Sequence, residues 1–183
     1  MSETNSDIEK NLVWMDLEMS GLDPSRDVIL EVAVVVTNEN LDILDSGKDL
    51  VVYQDEGMFL RMDDWNQNQH TKSGLWSQVR ESKLSVNQVE HQVLDYIKKY
   101  TKKGKAILCG NSIWQDRRFI RKYMPDLDSY LHYRMIDVST VKELVKRWFG
   151  VEFEKTEHNH RALEDINQSI EELKFYRQRF FHK

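Results

Sequence analysis

A single cysteine among 183 residues excludes an internal disulfide and fits a reducing compartment. Cys109 follows Ala106, Ile107 and Leu108 in a strand-like run, so it is expected in the core as a small hydrophobe, not as a nucleophile. Two prolines and seven glycines, nowhere gathered with serine, leave neither a linker between compositional halves nor an internal repeat. No apolar stretch approaches the ~20 residues of a membrane helix. The opening MSETNSDIEK lacks the apolar segment of a secretory signal, so a cytoplasmic protein is expected. A surplus of positive charge is missing too. With 26 Lys and Arg against 31 Asp and Glu the net charge is −5, which gives little general attraction to polyphosphate. Any nucleic-acid partner is therefore expected to be short or held through metal ions, and long-duplex binding is disfavoured.

What is present is globular in kind. A content of 40% hydrophobic and 31% charged residues lies near the soluble average, and a chain of this size buries roughly 70% of its unfolded surface without staples. Residues 1–10 read as a polar tail and residues 11–183 as one domain. Leu12 to Met19 reads as a strand. Val28 to Val36, an almost unbroken β-branched run, reads as a strand buried on both faces, and Leu41 to Tyr53 as a third. The Asn38-Glu39-Asn40 turn makes the second and third an antiparallel hairpin. Val86, Val89, Val93 and Ile97 then recur at helical spacing behind Ser85 as N-cap, which predicts a helix over Ser85 to Tyr100. Ala106 to Cys109 is a strand, Gln115 to Tyr123 a helix broken before Pro125, Met135 to Asp137 a short strand and Val138 to Phe149 a helix. The last helix, from about His160 to Phe180, buries Leu163, Ile166, Ile170, Leu173, Tyr176 and Phe180 on one stripe. A hairpin followed by alternating helices and strands gives an α/β layered fold with a mixed sheet.

Within the first strand, period-two alternation puts Asp16 and Glu18 on one face, about 7 Å apart, with the apolar Val13, Met15, Leu17 and Met19 on the other. Two carboxylates facing one way repel each other, and hard divalent cations would relieve that repulsion; a solvated strand end shows the same dipeptide spacing. Asp116 falls in the first turn of its helix, where the dipole favours a carboxylate. His160 and Asp165 stand five apart, about 140° around a helix, so they share a site only if His160 lies in the loop or first turn.

Taken together, DxE, D and HxxxxD in this order resemble the DEDDh 3′→5′ exonucleases. The blocks WMDLEMSGLDP (14 to 24), MDDWN (62 to 66), HTKSGL (70 to 75), CGNSIWQDRRF (109 to 119), HYRMIDVST (132 to 140) and HRALEDI (160 to 166) resemble the oligoribonucleases within that superfamily, nearly end to end. The resemblance implies an RNase-H-like mixed sheet flanked by helices. Asp16, Glu18, Asp116 and Asp165 would hold two divalent cations, Mg²⁺ or Mn²⁺, with His160 as general base and 5′-mononucleotides as product. Spacing to Asp165 selects His160 over His158. Leu22 is similar to an apolar wedge between two bases and His70 to its base-stacking partner. Ser112, Tyr133, Arg134, Ser139 and Thr140 match residues around the substrate's phosphate end, some given by the other subunit of a homodimer. Such a closed pocket would admit two nucleotides without a basic channel. Trp114 is larger than that pattern expects beside Asp116, and reads as a core or dimer aromatic or as an added surface of the base pocket. The expected partner is short RNA. Two rivals stand beside this expectation: a DEDDh exonuclease acting on DNA or tRNA 3′ ends, and a non-catalytic module that binds dinucleotides or RNA ends.

Overall fold

In a computed structural model, which describes residues 8–45, 47–154 and 161–181, five strands form one sheet. β1 (Leu12–Met19), β2 (Ile29–Thr37), β3 (Lys48–Val51), β4 (Ile107–Gly110) and β5 (Met135–Asp137) lie in the order β3-β2-β1-β4-β5. The β1–β2 and β2–β3 pairs are antiparallel, while β1–β4 and β4–β5 are parallel. This is the mixed sheet expected from a hairpin followed by βα units.

The helices are α1 (Glu56–Phe59), α2 (Asp64–Lys72), α3 (Leu75–Glu81), α4 (Val86–Ile97), α5 (Ile113–Tyr123), α6 (Pro125–Tyr130), α7 (Val138–Phe149) and α8 (Ala162–Phe180). Ser85 caps α4 through a full capping box with Gln88. All nine residues of β2 are buried, as their β-branched run predicts. One face of the sheet buries Val13, Met15 and Leu17 of β1 with Val89, Val93 and Ile97 of α4 and Phe119 and Ile120 of α5. The other buries Trp14, Ala33 and Val35 under Val138, Val145, Ile166, Ile170 and Tyr176 of α7 and α8. Cys109 lies in this second core, and burial pushes its thiol far up, out of reach of a nucleophile's role. The α8 stripe is as predicted, with Leu163, Leu173 and Phe180 partly buried around it.

Three expectations are corrected. The core does not lie on the odd face of β1 alone: Trp14 is buried on the even face, so Asp16 and Glu18 continue a row that begins in core. The third strand spans only Lys48–Val51 of the expected 41 to 53. The Asn38 side chain accepts the N–H groups of Asn40 and Asp42 and Leu41 turns to φ 70°, so the chain leaves the ladder and returns through one bridge, Thr37 to Ile43. Finally, residues 56–81 hold three helices with no expected counterpart. Asp55 and Asp63 cap the first two, and Met58, Met62, Leu75, Trp76 and Val79 pack on Leu30 of β2. α2 is nearly all polar, which hides it from a reading based on apolar periodicity.

Candidate active site

β4 pairs with β1 only from Leu12 to Trp14, so past Trp14 that edge of β1 is no longer laddered. Gly110 is where β4 passes closest: a Cβ there would lie 2.8 Å from the Met15 carbonyl. α5 starts just beyond, and its first-turn Asp116 accepts the Leu17 N–H at 2.9 Å. Asp116 is thereby locked against the strand segment between Asp16 and Glu18. From the opposite face of the sheet, the first turn of α8 brings in Asp165. Asp16, Glu18 and Asp165 each offer a carboxylate oxygen within 4.8 Å of the others.

Electrostatics at this cluster are unfavourable without a cation. Burial, followed by Asp116, Glu18 and Asp165, holds the Asp16 carboxyl well above its ordinary range. Burial and the charges of Glu31, Asp165 and Asp116 push Glu18 up to about 8. Asp116 rises to about 7 through burial, against the opposing effect of its Leu17 hydrogen bond. A half-buried all-oxygen donor set that resists ionisation on its own suits hard divalent cations, so the residues fit the metal that the sequence pattern implies.

Glu31 and Arg161 are functional neighbours that the sequence reading missed. Glu31 is opposite Glu18 in the β1–β2 register and 0% exposed. The Arg161 guanidinium donates to it through Nε at 2.9 Å and through Nη2, and the Ala162 N–H donates to its second oxygen at 3.2 Å. Arg161 Nη2 also donates to Gln78 Oε1 at 3.1 Å and lies 3.7 Å from Asp49. The pair therefore ties the N-terminus of α8, one turn before Asp165, to the middle of β2. A signal was available: a lone acid inside a run buried on both faces must have a partner.

The remaining expected residues separate into groups. Ser112, the N-cap of α5 at φ 51°, and Ser139, in the first turn of α7, meet with their hydroxyls 3.2 Å apart. Asp137 accepts both of their backbone N–H groups at 2.9 Å, and Thr140 follows on the same turn. Two helix N-termini thus converge beside Asp116, with the Asp137 carboxylate on their amides and the two serine hydroxyls beside it. Tyr133 and Arg134 sit on the α6–β5 loop with the guanidinium 5.3 Å above the ring. Among the described residues no hydrogen bond joins them to Ser112 or Ser139. Leu22 is 70% exposed on the β1–β2 loop. His70 is 2% exposed, with Nε2 2.9 Å from the Met19 carbonyl at the β-bulge that ends β1, so no open ring face is presented for stacking. Trp114 is 53% exposed beneath the Arg118 guanidinium at 5.9 Å and belongs to no core. His160 and His158 lie outside the described residues.

Residues 13–173 match the Exonuclease family. An oligoribonuclease from Dichelobacter nodosus is 49% identical over 175 residues, covering 96% of this chain and 97% of that protein. One from Halorhodospira halophila is 52% identical over 174 residues, covering 94% and 95%. The chain belongs to the oligoribonuclease family. Among solved structures, exonuclease I from Methylocaldum szegediense superposes with a TM-score of 0.72 at 16% identity over 93% of this chain, which spans 41% of that protein's length. That likeness shows the RNase-H-like fold. Within the oligoribonuclease fold, the carboxylate cluster lies where β1 runs past its neighbour β4, and α5 and α8 start on either side of it.

Proposed function

We propose that the chain is a 3′→5′ exoribonuclease that hydrolyses very short RNA, dinucleotides above all, to 5′-mononucleotides. The observation that carries this reading is the meeting of Asp16, Glu18 and Asp165 within 4.8 Å, with Asp116 locked against the same strand segment. Those four carboxylates would hold two divalent cations, Mg²⁺ or Mn²⁺, whose four positive charges balance them. When bound, the cations supply Lewis acidity toward the attacking water and the departing 3′ oxygen. The chain's own part is to place the substrate and move the proton. His160, five residues before Asp165, is the general base that accepts the proton of the attacking water and must be neutral to do so.

Ser112, Ser139 and Thr140, at the two converging helix N-termini, cap the substrate's terminal phosphate, and Leu22 sets the apolar contact with its bases. Arg134 and Tyr133, apart from the two serines within one chain, come to the phosphate end from the second subunit of a homodimer. His70, committed to the Met19 carbonyl, shapes the end of β1 and reaches the bases only if that bond is given up. A pocket closed at the phosphate end excludes longer strands, in keeping with a net charge of −5 and a cytoplasmic scavenging role.

The test is incubation of the pure protein with end-labelled RNAs and DNAs of two to ten nucleotides, with and without Mg²⁺ or Mn²⁺. The reading requires metal-dependent release of 5′-mononucleotides, fastest from the RNA dinucleotide. Equal rates on ten-nucleotide RNA would overturn the closed pocket. Preference for DNA or tRNA ends would favour the exonuclease rival, and binding without turnover the non-catalytic one.

A further inference from the structure

The loop from Ser20 to Asp27, which carries Leu22, is folded tightly around one carboxylate. Asp27 accepts the Ser20 hydroxyl at 3.2 Å and the Asp23 N–H at 2.9 Å, and a Cβ on Gly21 would fall 2.5 Å from it. The loop's outward carbonyls need partners from elsewhere, since loops have no ladder to satisfy them. Among the described residues, the side chains that bond the Leu22, Pro24 and Asp27 carbonyls lie on α5. Gln115 Nε2 donates to the Leu22 carbonyl at 2.6 Å, and Arg118 donates to that carbonyl at 3.3 Å and to Gln115 Oε1 at 2.6 Å. The Lys122 ammonium donates to the Pro24 carbonyl, and the Tyr123 hydroxyl lies 2.5 Å from the Asp27 carbonyl. Positions 115, 118 and 122 form one stripe of the helix, with 123 beside it. The loop also borders a cavity of about 420 Å³ shared with Met58 and Arg61.

We propose that Gln115 is a positioning residue for substrate binding: it fixes the height of Leu22 relative to the reaction centre. The inference rests on the reading of Leu22 as a base contact. Gln115 is 9% exposed and directly precedes Asp116 on the first turn of α5. One helical turn thus holds both the strand segment between two metal carboxylates and the backbone of the apolar wedge. The spacing between the wedge and the scissile phosphate is therefore a property of a rigid element, although the wedge itself sits on a loop. Arg118 supports the amide from behind, with its guanidinium 5.9 Å from the centre of the exposed Trp114 ring.

The experiment compares wild type, Gln115→Met, Leu22→Ala and the double variant on an RNA dinucleotide with Mn²⁺, alongside calorimetric Mn²⁺ titration without substrate. Methionine keeps the length of glutamine and removes the donated bond. Both single variants are expected to raise KM roughly tenfold with kcat changed by less than about twofold, the pattern of lost ground-state binding. The double variant should be no worse than Leu22→Ala alone, because the two act through one contact. All four proteins should take up Mn²⁺ alike. A wild-type KM in Gln115→Met beside a raised KM in Leu22→Ala overturns the inference, as does weakened Mn²⁺ uptake in Gln115→Met, which would place its effect at Asp116. A wild-type KM in Leu22→Ala sinks the reading of Leu22, and the inference with it.

Discussion

Glu18 and Glu31 face each other across the β1–β2 ladder, one half-buried and one fully buried, with opposite fates. Glu31 is paired: a guanidinium and a backbone N–H from the start of α8 take both of its oxygens. Burial first, and then the carboxylates of Glu31, Asp165 and Asp116, push the Glu18 pKa up to about 8, against a smaller opposing effect of Arg161. The same residue type is a fully buried structural anchor in one strand and a half-buried, unfulfilled ligand in the next. Burial alone identifies neither role. What separates them is whether the fold supplies a cation or leaves that place to a ligand.

The largest effects belong to the unfulfilled side. Asp16→Asn, Glu18→Gln, Asp116→Asn and Asp165→Asn should each lose nearly all turnover of an RNA dinucleotide while circular dichroism stays native, because each removes charge that the cations need and relieves repulsion in their absence. Near-normal rates in two of the four would erase the contrast with Glu31. Next comes His160→Ala, expected to lose roughly 10²–10⁴-fold in rate, the usual contribution of a positioned base, with calorimetric Mn²⁺ uptake retained because the ligands are carboxylates. His158→Ala should change little, and a severe defect there beside a normal His160→Ala would reverse the assignment.

The paired side should respond through stability. Arg161→Met leaves Glu31 buried and uncompensated, a change that costs about 3 kcal/mol for a partly exposed partner, which lowers the melting temperature by roughly 2–4 °C per kcal/mol in a chain of this size. Adding Glu31→Gln to it should recover part of the loss in the same melting experiment. A smaller and pH-dependent effect separates the two glutamates again. Because the folded state raises the Glu18 pKa from an ordinary 4.5 to about 8, it binds that proton more tightly than the unfolded chain. Glu18 thus costs nothing below the ordinary value, and metal-free stability falls as pH rises through that window and levels off above it. Melting curves from pH 4.5 to 8 should show a shallower decline in Glu18→Gln than in wild type, and millimolar Mn²⁺ should restore wild-type stability near pH 8. An unchanged slope in Glu18→Gln would remove the claim that this carboxyl is held protonated.

Much of this was legible before any coordinates. β-branched runs and the Ser85 capping pattern locate β2 and α4, since local propensity and burial agree there. The order of Asp16, Glu18, Asp116 and Asp165 pointed to one centre through its resemblance to the DEDDh exonucleases; strand alternation and helix first turns alone left a solvated strand end and a dipole-favoured carboxylate as equal readings. The polar helix α2 was not legible, as its stability comes from the Asp63 cap and from packing of its neighbours on Leu30, not from its own periodicity. Nor was the shortening of β3, which depends on the Asn38 side chain capturing the backbone of its own turn. The Glu31–Arg161 pair spans 130 residues: the acid inside β2 signals that a partner exists, but no local pattern names which one. The stripe of α5 that holds the Leu22 loop was hidden for a similar reason: Gln115, Arg118 and Lys122 bond carbonyls more than 90 residues earlier in the chain.

The contrast between the two glutamates can be tested in one experiment, with Mn²⁺ titrated calorimetrically into wild type, Glu18→Gln and Glu31→Gln and each protein melted with and without the metal. The account predicts that Glu18→Gln loses Mn²⁺ uptake and melts no lower than wild type in metal-free buffer, whereas Glu31→Gln melts lower and still takes up Mn²⁺. Normal uptake by Glu18→Gln with none by Glu31→Gln would contradict it.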